Sequence, residues 1–304
     1  MTVEPTASAR RGIRKSAGER AFEICNGAIL SLLALLCLAP FVHILAVSLS
    51  SSQAATAGRV GFWPVDLSLN SYQYATQNPV FISAFGVTVR RVLLGVSVDT
   101  LLVTLAAYPL SKTNREMPGR TILAWIFVTT MFVGGGMIPS YLVVNATGLR
   151  NTLWALVIPG AVKPFNMTIL LNFFRQTPKD LEESALIDGA PQPKILWYIY
   201  LPLALPALAT LTIFDTVGHW NEWFSGLIYM DKQVNQPLQT YLRGVIIQPD
   251  FTLLNQQQIE LMSKISSKTY QAAQIMIATT PVLAIYPFLQ KYFIKGLTLG
   301  SLKG

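Results

Sequence analysis

Several polar side chains in this sequence, most of them ionisable, interrupt long apolar runs. Asp99 sits in one run, Lys163 between Pro159 and Pro164 in another, and Asp215, His219, Asn221 and Glu222 follow at short spacing in a third. Charges in an apolar medium are costly, so they face a water-filled cavity or pair with one another. Two readings stand for Lys163: internal pairing with Asp99 or Asp215, or a cavity-facing ammonium that meets an anionic ligand. The flanking prolines bear on the second, since the backbone groups they free are tolerated at membrane depth only beside protein or water. Catalytic constellations cannot be assembled. There are two histidines, no H-E-x-x-H and no G-x-S-x-G, so neither an enzyme nor a metal site is expected. Cys25 and Cys37 fall in or beside one apolar run and imply neither a disulfide nor a metal.

A second group is polar and continuous: Glu183, Ser184, Ala185, Leu186, Ile187, Asp188, Gly189 and Ala190, followed by Pro191, Pro193 and Ile199-Tyr200-Leu201-Pro202. Thr177-Pro178 reads as an N-cap with proline at the first helical position. Asp180, Glu182 and Glu183 then place negative charge where the helix dipole favours it. Leu181 and Ala185 share a face at a spacing of four, with Ile187 nearby, and Gly189 provides the stop. Pro193 opens a second helix toward Leu201-Pro202. The product is a bent helix pair offering a compact knob, which local physics reads equally well as a docking element or as an ordinary amphipathic loop.

The elements that hold these groups follow from composition. Of 304 residues, 52% are hydrophobic and 12% charged, about half the usual charged share of about 25% for soluble domains. The net charge of +8 is spread in short basic clusters between apolar runs, which reads as membrane topology and not as nucleic-acid binding. A span needs roughly 20 apolar residues. Ile24–Leu49, Val92–Leu110 (beginning nearer Phe85 in a longer reading), Ile122–Val144, Leu153–Phe174, Ile199–Met230 and Ala272–Phe293 meet that length. The reading is an all-α integral membrane protein with six transmembrane helices.

Lys and Arg are retained on the cytoplasmic side. Arg10, Arg11, Arg14, Lys15 and Arg20, then Lys112, Arg115 and Arg120, then Arg175, Lys179 and Lys194, then Lys291, Lys295 and Lys303 place both ends, the 111–121 loop and the 175–198 loop inside. The predicted organisation is a basic cytoplasmic arm over 1–23, a first transmembrane helix over 24–49, an external loop over 50–84, a core of five helices over 85–295 with a second external loop over 231–271, and a cytoplasmic tail over 296–304. The first span has a rival reading as a cleaved signal peptide, but its apolar stretch exceeds the usual h-region and an anchor is the preferred reading. The long outer loops read as docking or lid segments or as plain connections. Trp63, Trp154 and Trp197 suit an interfacial belt. Arg90 and Arg91 read as snorkelling residues or as attractors of an anionic substrate. His43 reads as packed or interfacial.

The stretch Glu183, Ala185, Asp188, Gly189, Ala190, Ile199, Leu201 and Pro202 resembles the cytoplasmic "EAA" loop of permeases of binding-protein-dependent ABC importers, with Ser184 in place of the usual first Ala. Ala106-Ala107-Tyr108-Pro109-Leu110-Ser111, Asn166 to Phe174 with Pro178, Trp220-Asn221-Glu222, and Gly296-Leu297-Thr298 with Gly300 and Lys303-Gly304 extend the resemblance to the carbohydrate (maltose-importer) type from about residue 80 onward. Gly134-Gly135-Gly136-Met137-Ile138-Pro139 and Ile158-Pro159-Gly160-Ala161 are similar to the branch handling polysaccharide fragments, alginate among them.

The resemblance implies a type I ABC importer permease in the bacterial cytoplasmic membrane. It implies a second homologous permease, two ATPase subunits and an extracytoplasmic sugar-binding protein as partners, and an oligosaccharide as cargo moved by alternating access. The coupling residues would be Glu183, Ser184, Ala185, Asp188, Gly189 and Ala190. No G-x-x-x-x-G-K-[ST] is present, so ATP and Mg belong to the partner ATPases and this chain needs no cofactor. Asp99, Lys163, Asp215, Trp220, Asn221, Glu222 and Trp223 are the substrate-path candidates, the tryptophans because sugars stack on aromatic faces. An acidic sugar would suit Lys163. An ATP-independent secondary transporter or channel would share the composition but has no need of the cytoplasmic knob.

Overall fold

The computed structural model describes residues 16–247 and 266–301, by backbone alone at 247 and from 286 onward. Arg10, Arg11, Arg14, Lys15, Lys264, Lys303 and Gly304 lie outside the described residues. Every regular element among the described residues is helical.

Helix α1 (Ala17–Ser48) opens on a capping box in which Ser16 and Glu19 satisfy each other's backbone N–H groups. Its apolar side chains are exposed around the circumference, Leu30, Leu33 and Leu36 each by more than half. In water such a surface would aggregate, whereas in lipid it is solvated. Two short helices, α2 (Ser52–Thr56) and α3 (Asn70–Gln77), follow within the segment predicted as a loop.

Helix α4 (Pro79–Ser111) begins well before the expected Val92 or Phe85. The Asn78 side chain accepts from the N–H groups of Val80 and Phe81, and Pro79 takes a first-turn position where its missing N–H costs nothing. Arg90 and Arg91 are therefore inside the helix, and the apolar count that placed the boundary near them was misled by their charge. The segment between the first two long helices is correspondingly shorter than the predicted 50–84 loop and contains α2 and α3.

Three of the predicted spans are broken. The third comprises α5 (Arg120–Phe132) and α6 (Met137–Ala146), bent by 117° across the glycine run 134–136. The fourth is two 3-10 turns (Leu153–Leu156 and Ile158–Gly160) bent by 55° into α7 (Pro164–Arg175). After α8 (Lys179–Ile187), helix α9 (Gln192–Leu203), which includes a π turn, meets α10 (Leu205–Asn221) at 81°, and α11 (Phe224–Tyr229) extends the fifth run. Pro164 and Pro206 stand in opening turns, where they end the preceding ladder without breaking their own helix. Helices α12 (Leu238–Ile247) and α13 (Ser267–Ser301) complete the described chain. Among the described residues, α1 and α4 are continuous and apolar enough to cross a membrane, and each bent pair counted as one span raises the number to as many as five.

Helix α4 is the central column, packed by α7, α10, α5, α12 and α3, while α13 packs on α1, α10, α3 and α12. Two main cores lie along α4. One joins Val103, Ala107, Tyr108 and Leu110 to Met167, Leu170 and Phe174 of α7 and to Ile195, Tyr200 and Leu211. The other, at the opposite end, joins Phe81 and Ala84 to Trp220, Leu238, Tyr241 and Ala278.

Candidate functional site

Two buried charge clusters hang on α4, one at each level of interest. At its C-terminal end, Lys112 forms an ion pair with Glu182 of α8. The second Glu182 oxygen accepts from the Tyr200 hydroxyl at 2.5 Å, and the Lys112 ammonium lies 4.2 Å from the ring centroid of Tyr108 and 4.4 Å from that of Tyr200. Tyr108 donates to Gln192 of α9 at 2.5 Å and packs edge-on against Tyr200 and Phe174. Burial makes each of these bonds matter, since an unpaired buried charge or hydroxyl costs far more than an exposed one.

The knob projects from this anchorage. Helix α8 starts one residue later than expected: Pro178 holds the cap position without a side-chain bond, so Thr177 does not cap it. Asp180 and Glu182 supply the first-turn charge. Gly189 stops the helix at φ 73°, where a side chain would be strained, and Ala190 N–H closes on the Ala185 carbonyl. The buried face is Glu182 with Ala185, three apart, and Leu181 lies outside it, 46% exposed. Glu183, Ser184, Asp188 and Gly189 are all exposed, Ala185 and Ala190 are half-buried, and Ile187 leaves 86% of its surface open. In the adjoining loop, hydrogen bonds from the Thr113 backbone and hydroxyl, with Lys112 and Lys179 nearby, hold the Glu116 carboxyl below its ordinary range.

Halfway along α4 the Lys163 ammonium bridges Asp99 at 2.8 Å and Asp215 of α10 at 2.6 Å. Internal pairing is thus its state here. Asn166 donates to the same Asp215 oxygen at 2.9 Å, and His219 Nε2 is 2.9 Å from Asp99. The two helices approach closely because residue 95 is glycine; a Cβ there would fall 2.4 Å from His219 Nε2. Both carboxylates are buried, whereas about a third of the Lys163 side chain, 34%, is open. It opens into a cleft of about 480 Å³ that Arg91, Ser140, His219, Glu222 and Tyr229 also line. Arg91 is itself spent on Glu222, 2.7 Å from its carboxylate and 3.1 Å from its carbonyl, and Glu222 accepts from Ser225.

The remaining candidates separate from this cleft. Trp220 is buried, donates its indole N–H to the Ala278 carbonyl at 3.1 Å and packs edge-on against Phe85, so it is a core residue and offers no face to a sugar. Trp223 lies on a different cleft under the Arg243 guanidinium, 3.7 Å from its ring. Asn221 is exposed at the end of α10. Sequence reasoning missed the Glu182 anchorage and the Arg91–Glu222 pair. The available signal for the first was its spacing of three from Ala185 on a face facing the apolar core.

The sequence signature of binding-protein-dependent transport system inner membrane components matches residues 81–299. Over 285 residues the chain is 39% identical to Protein LplC of Bacillus subtilis (strain 168), covering 94% of this chain and 96% of that one. It is 37% identical over 285 residues to the polygalacturonan/rhamnogalacturonan transport system permease protein YtcP of the same strain, covering 94% and 99%. Among solved structures it superposes with a TM-score of 0.87 and 32% identity on a chain of a bacterial ABC transporter involved in the import of the acidic polysaccharide alginate, covering 93% of this chain and 100% of that one.

Proposed function

Because the chain belongs to the family of binding-protein-dependent transport system inner membrane components, we propose that it is the permease subunit of an ATP-driven importer whose cargo is an acidic oligosaccharide of the oligogalacturonate or alginate kind. The carrying observation is near full-length similarity to a relative named for polygalacturonan and rhamnogalacturonan transport, joined by that to the alginate-importer chain. The family is one of transport permeases, not enzymes. ATP and Mg would be bound by two partner ATPases, beside a second homologous permease and an extracytoplasmic binding protein. The secondary-transporter or channel reading is not favoured.

In this reading six spans run with both termini cytoplasmic, the basic 1–23, 111–121, 175–198 and 296–304 segments inside and the 50–84 and 231–271 segments outside. The exposed surface of Glu183, Ser184, Ala185, Asp188, Gly189 and Ala190, with Ile187 at its tip, docks on the ATPase. The substrate path follows the cleft at Lys163 and Glu222, with Asp99 and Asp215 as buried supports that set the lysine's position, while Asn221 and Trp223 lie off it. Since two carboxylates already meet Lys163, a uronate reaches it only by competing with one of them, which makes the cluster a discriminator and not a simple cationic trap.

The test is ATPase stimulation of the reconstituted complex by neutral and uronic oligosaccharides presented on the binding protein. Stimulation by uronic sugars is expected. Stimulation by neutral sugars alone overturns the acidic cargo.

A further inference from the structure

We propose that Glu182 is a positioning residue that, through Lys112, Tyr200 and Tyr108, fixes the α8 knob to the C-terminal end of α4 and to α9, so that knob and α4 move as one body. The inference rests on the coupling role of α8 proposed above. Glu182 stands beside the residues assigned to docking but is chemically their opposite. Its carboxylate is buried, 7% exposed, and turned inward, whereas Glu183 is turned outward.

The polar groups around Glu182 come from two elements other than its own, α4 and α9. Lys112 closes α4, Tyr108 is one turn earlier on the same helix, and Tyr200 and Gln192 belong to α9. One cation meets one anion, two tyrosine rings cover the cation and one hydroxyl holds the second carboxylate oxygen, so the group is neutral and satisfied. A loop hinged at Thr177 and Pro191 would need no such closure. A short helix required to hand force to a span does, because a displacement of the knob would otherwise be absorbed by the proline-rich connections on either side.

The same α4 carries Asp99 about three turns away from Lys112, with Asp99 bound to Lys163 at the cleft. A rigid joint at Glu182 therefore links knob displacement to the column that holds the Lys163 cluster. Ala185 and Ala190 of the docking surface add apolar contact with the same core, and Glu182 supplies its polar closure.

The experiment uses the assembled transporter in proteoliposomes with its binding protein, after Cys25 and Cys37 are replaced by Ser. Spin labels at Leu105→Cys, exposed on α4, and Asp180→Cys report the α4-to-knob distance without nucleotide and after vanadate trapping. An unchanged distance distribution in the parental complex is expected, and a distance that shifts between the states overturns the proposal. Lys112→Met and Glu182→Gln should broaden the distribution and lower sugar moved per ATP hydrolysed by roughly fivefold or more, the range of ordinary coupling energies. Both should keep the ATPases copurifying, since Glu183, Leu186 and Ile187 are untouched. Lys112→Arg, which preserves the charge over the rings, should restore the ratio. Tyr200→Phe, with the ion pair intact, gives a smaller loss and serves if the stronger variants fail to assemble. An unaltered transport-to-ATP ratio in Glu182→Gln, or in Tyr200→Phe where the stronger variants fail, overturns the proposal; so does loss of copurification in variants that still fold. Failure of the parental chain to retain ATPase would instead strike the coupling role itself.

Discussion

The two charge clusters on α4 are built from the same materials to opposite specifications. At the C-terminal end one lysine meets one carboxylate, tyrosines satisfy what remains, and the whole is packed into the larger core. At mid-helix one lysine meets two carboxylates, a histidine leans on one of them, and an Asp99 oxygen is left buried without a partner. The balanced cluster edges a cleft of its own yet keeps about nine-tenths of both charged side chains covered, while the unbalanced one leaves a third of its only lysine open to a cleft. Closed and neutral groups fix positions; open and overcharged ones are free to exchange a partner. Along one helix, then, the chain places a joint at one level and a responsive element at another.

The sharpest way to break this contrast is to remove each cation. Lys163→Met leaves two carboxylates facing each other in the interior and should cost about 3–5 kcal/mol, toward the lower end because the lysine is partly open. A fall in the thermal midpoint of the detergent-solubilised complex measures it, and an unchanged midpoint would mean that Lys163 is not what holds the two carboxylates together. Removing one anion sharpens the contrast. Glu182→Gln strands Lys112 and should be strongly destabilising, whereas Asp99→Asn leaves Lys163 with Asp215, relieves the excess negative charge and should cost clearly less. Equal losses in parallel melts would erase the distinction drawn between the clusters. Tyr200→Phe deletes one hydrogen bond to a buried carboxylate and should cost roughly 1.5–3 kcal/mol.

The smallest effect is expected at an exposed ion pair, which serves as the control. Asp231 is held below the usual carboxyl range by hydrogen bonds from Asn151 and Arg150. A depressed pKa in the folded state contributes stability above the unfolded value, and that contribution is lost as pH falls through the folded one. Acidification from neutral toward that range should open the 150–231 contact with little change in the melting of the bundle. Amide exchange at Asn151 and Asp231 would follow it, and protection that persists in acid would contradict the assignment.

The knob was legible because its signals are local. Asp180 and Glu182 in a first turn, Gly189 at the stop and Pro191 and Pro193 beyond it act within a few residues, and the helix lies where they put it. Thr177 misled by one position because Pro178 at the cap reads the same as Pro178 at the first turn. The breaks in the third, fourth and fifth runs were less visible, since a 20-residue apolar count does not register the angle at 134–136, 161–163 or 204. Trp220 was placed on a sugar path by residue type, and only packing against Phe85 and Ala278 assigns it to the core.

By itself the sequence determined the solvent, the helical class, the order of the apolar runs and the shape of the knob, because hydrophobic length, caps and helix-breaking residues act over one turn to one span. Tertiary structure alone decided which charges meet. Lys112 reaches Glu182 across 70 positions, and Lys163 reaches Asp99 across 64 and Asp215 across 52. Electrostatic pairing depends on distance in space, and no periodicity along the chain encodes which of several buried anions will lie nearest a given cation.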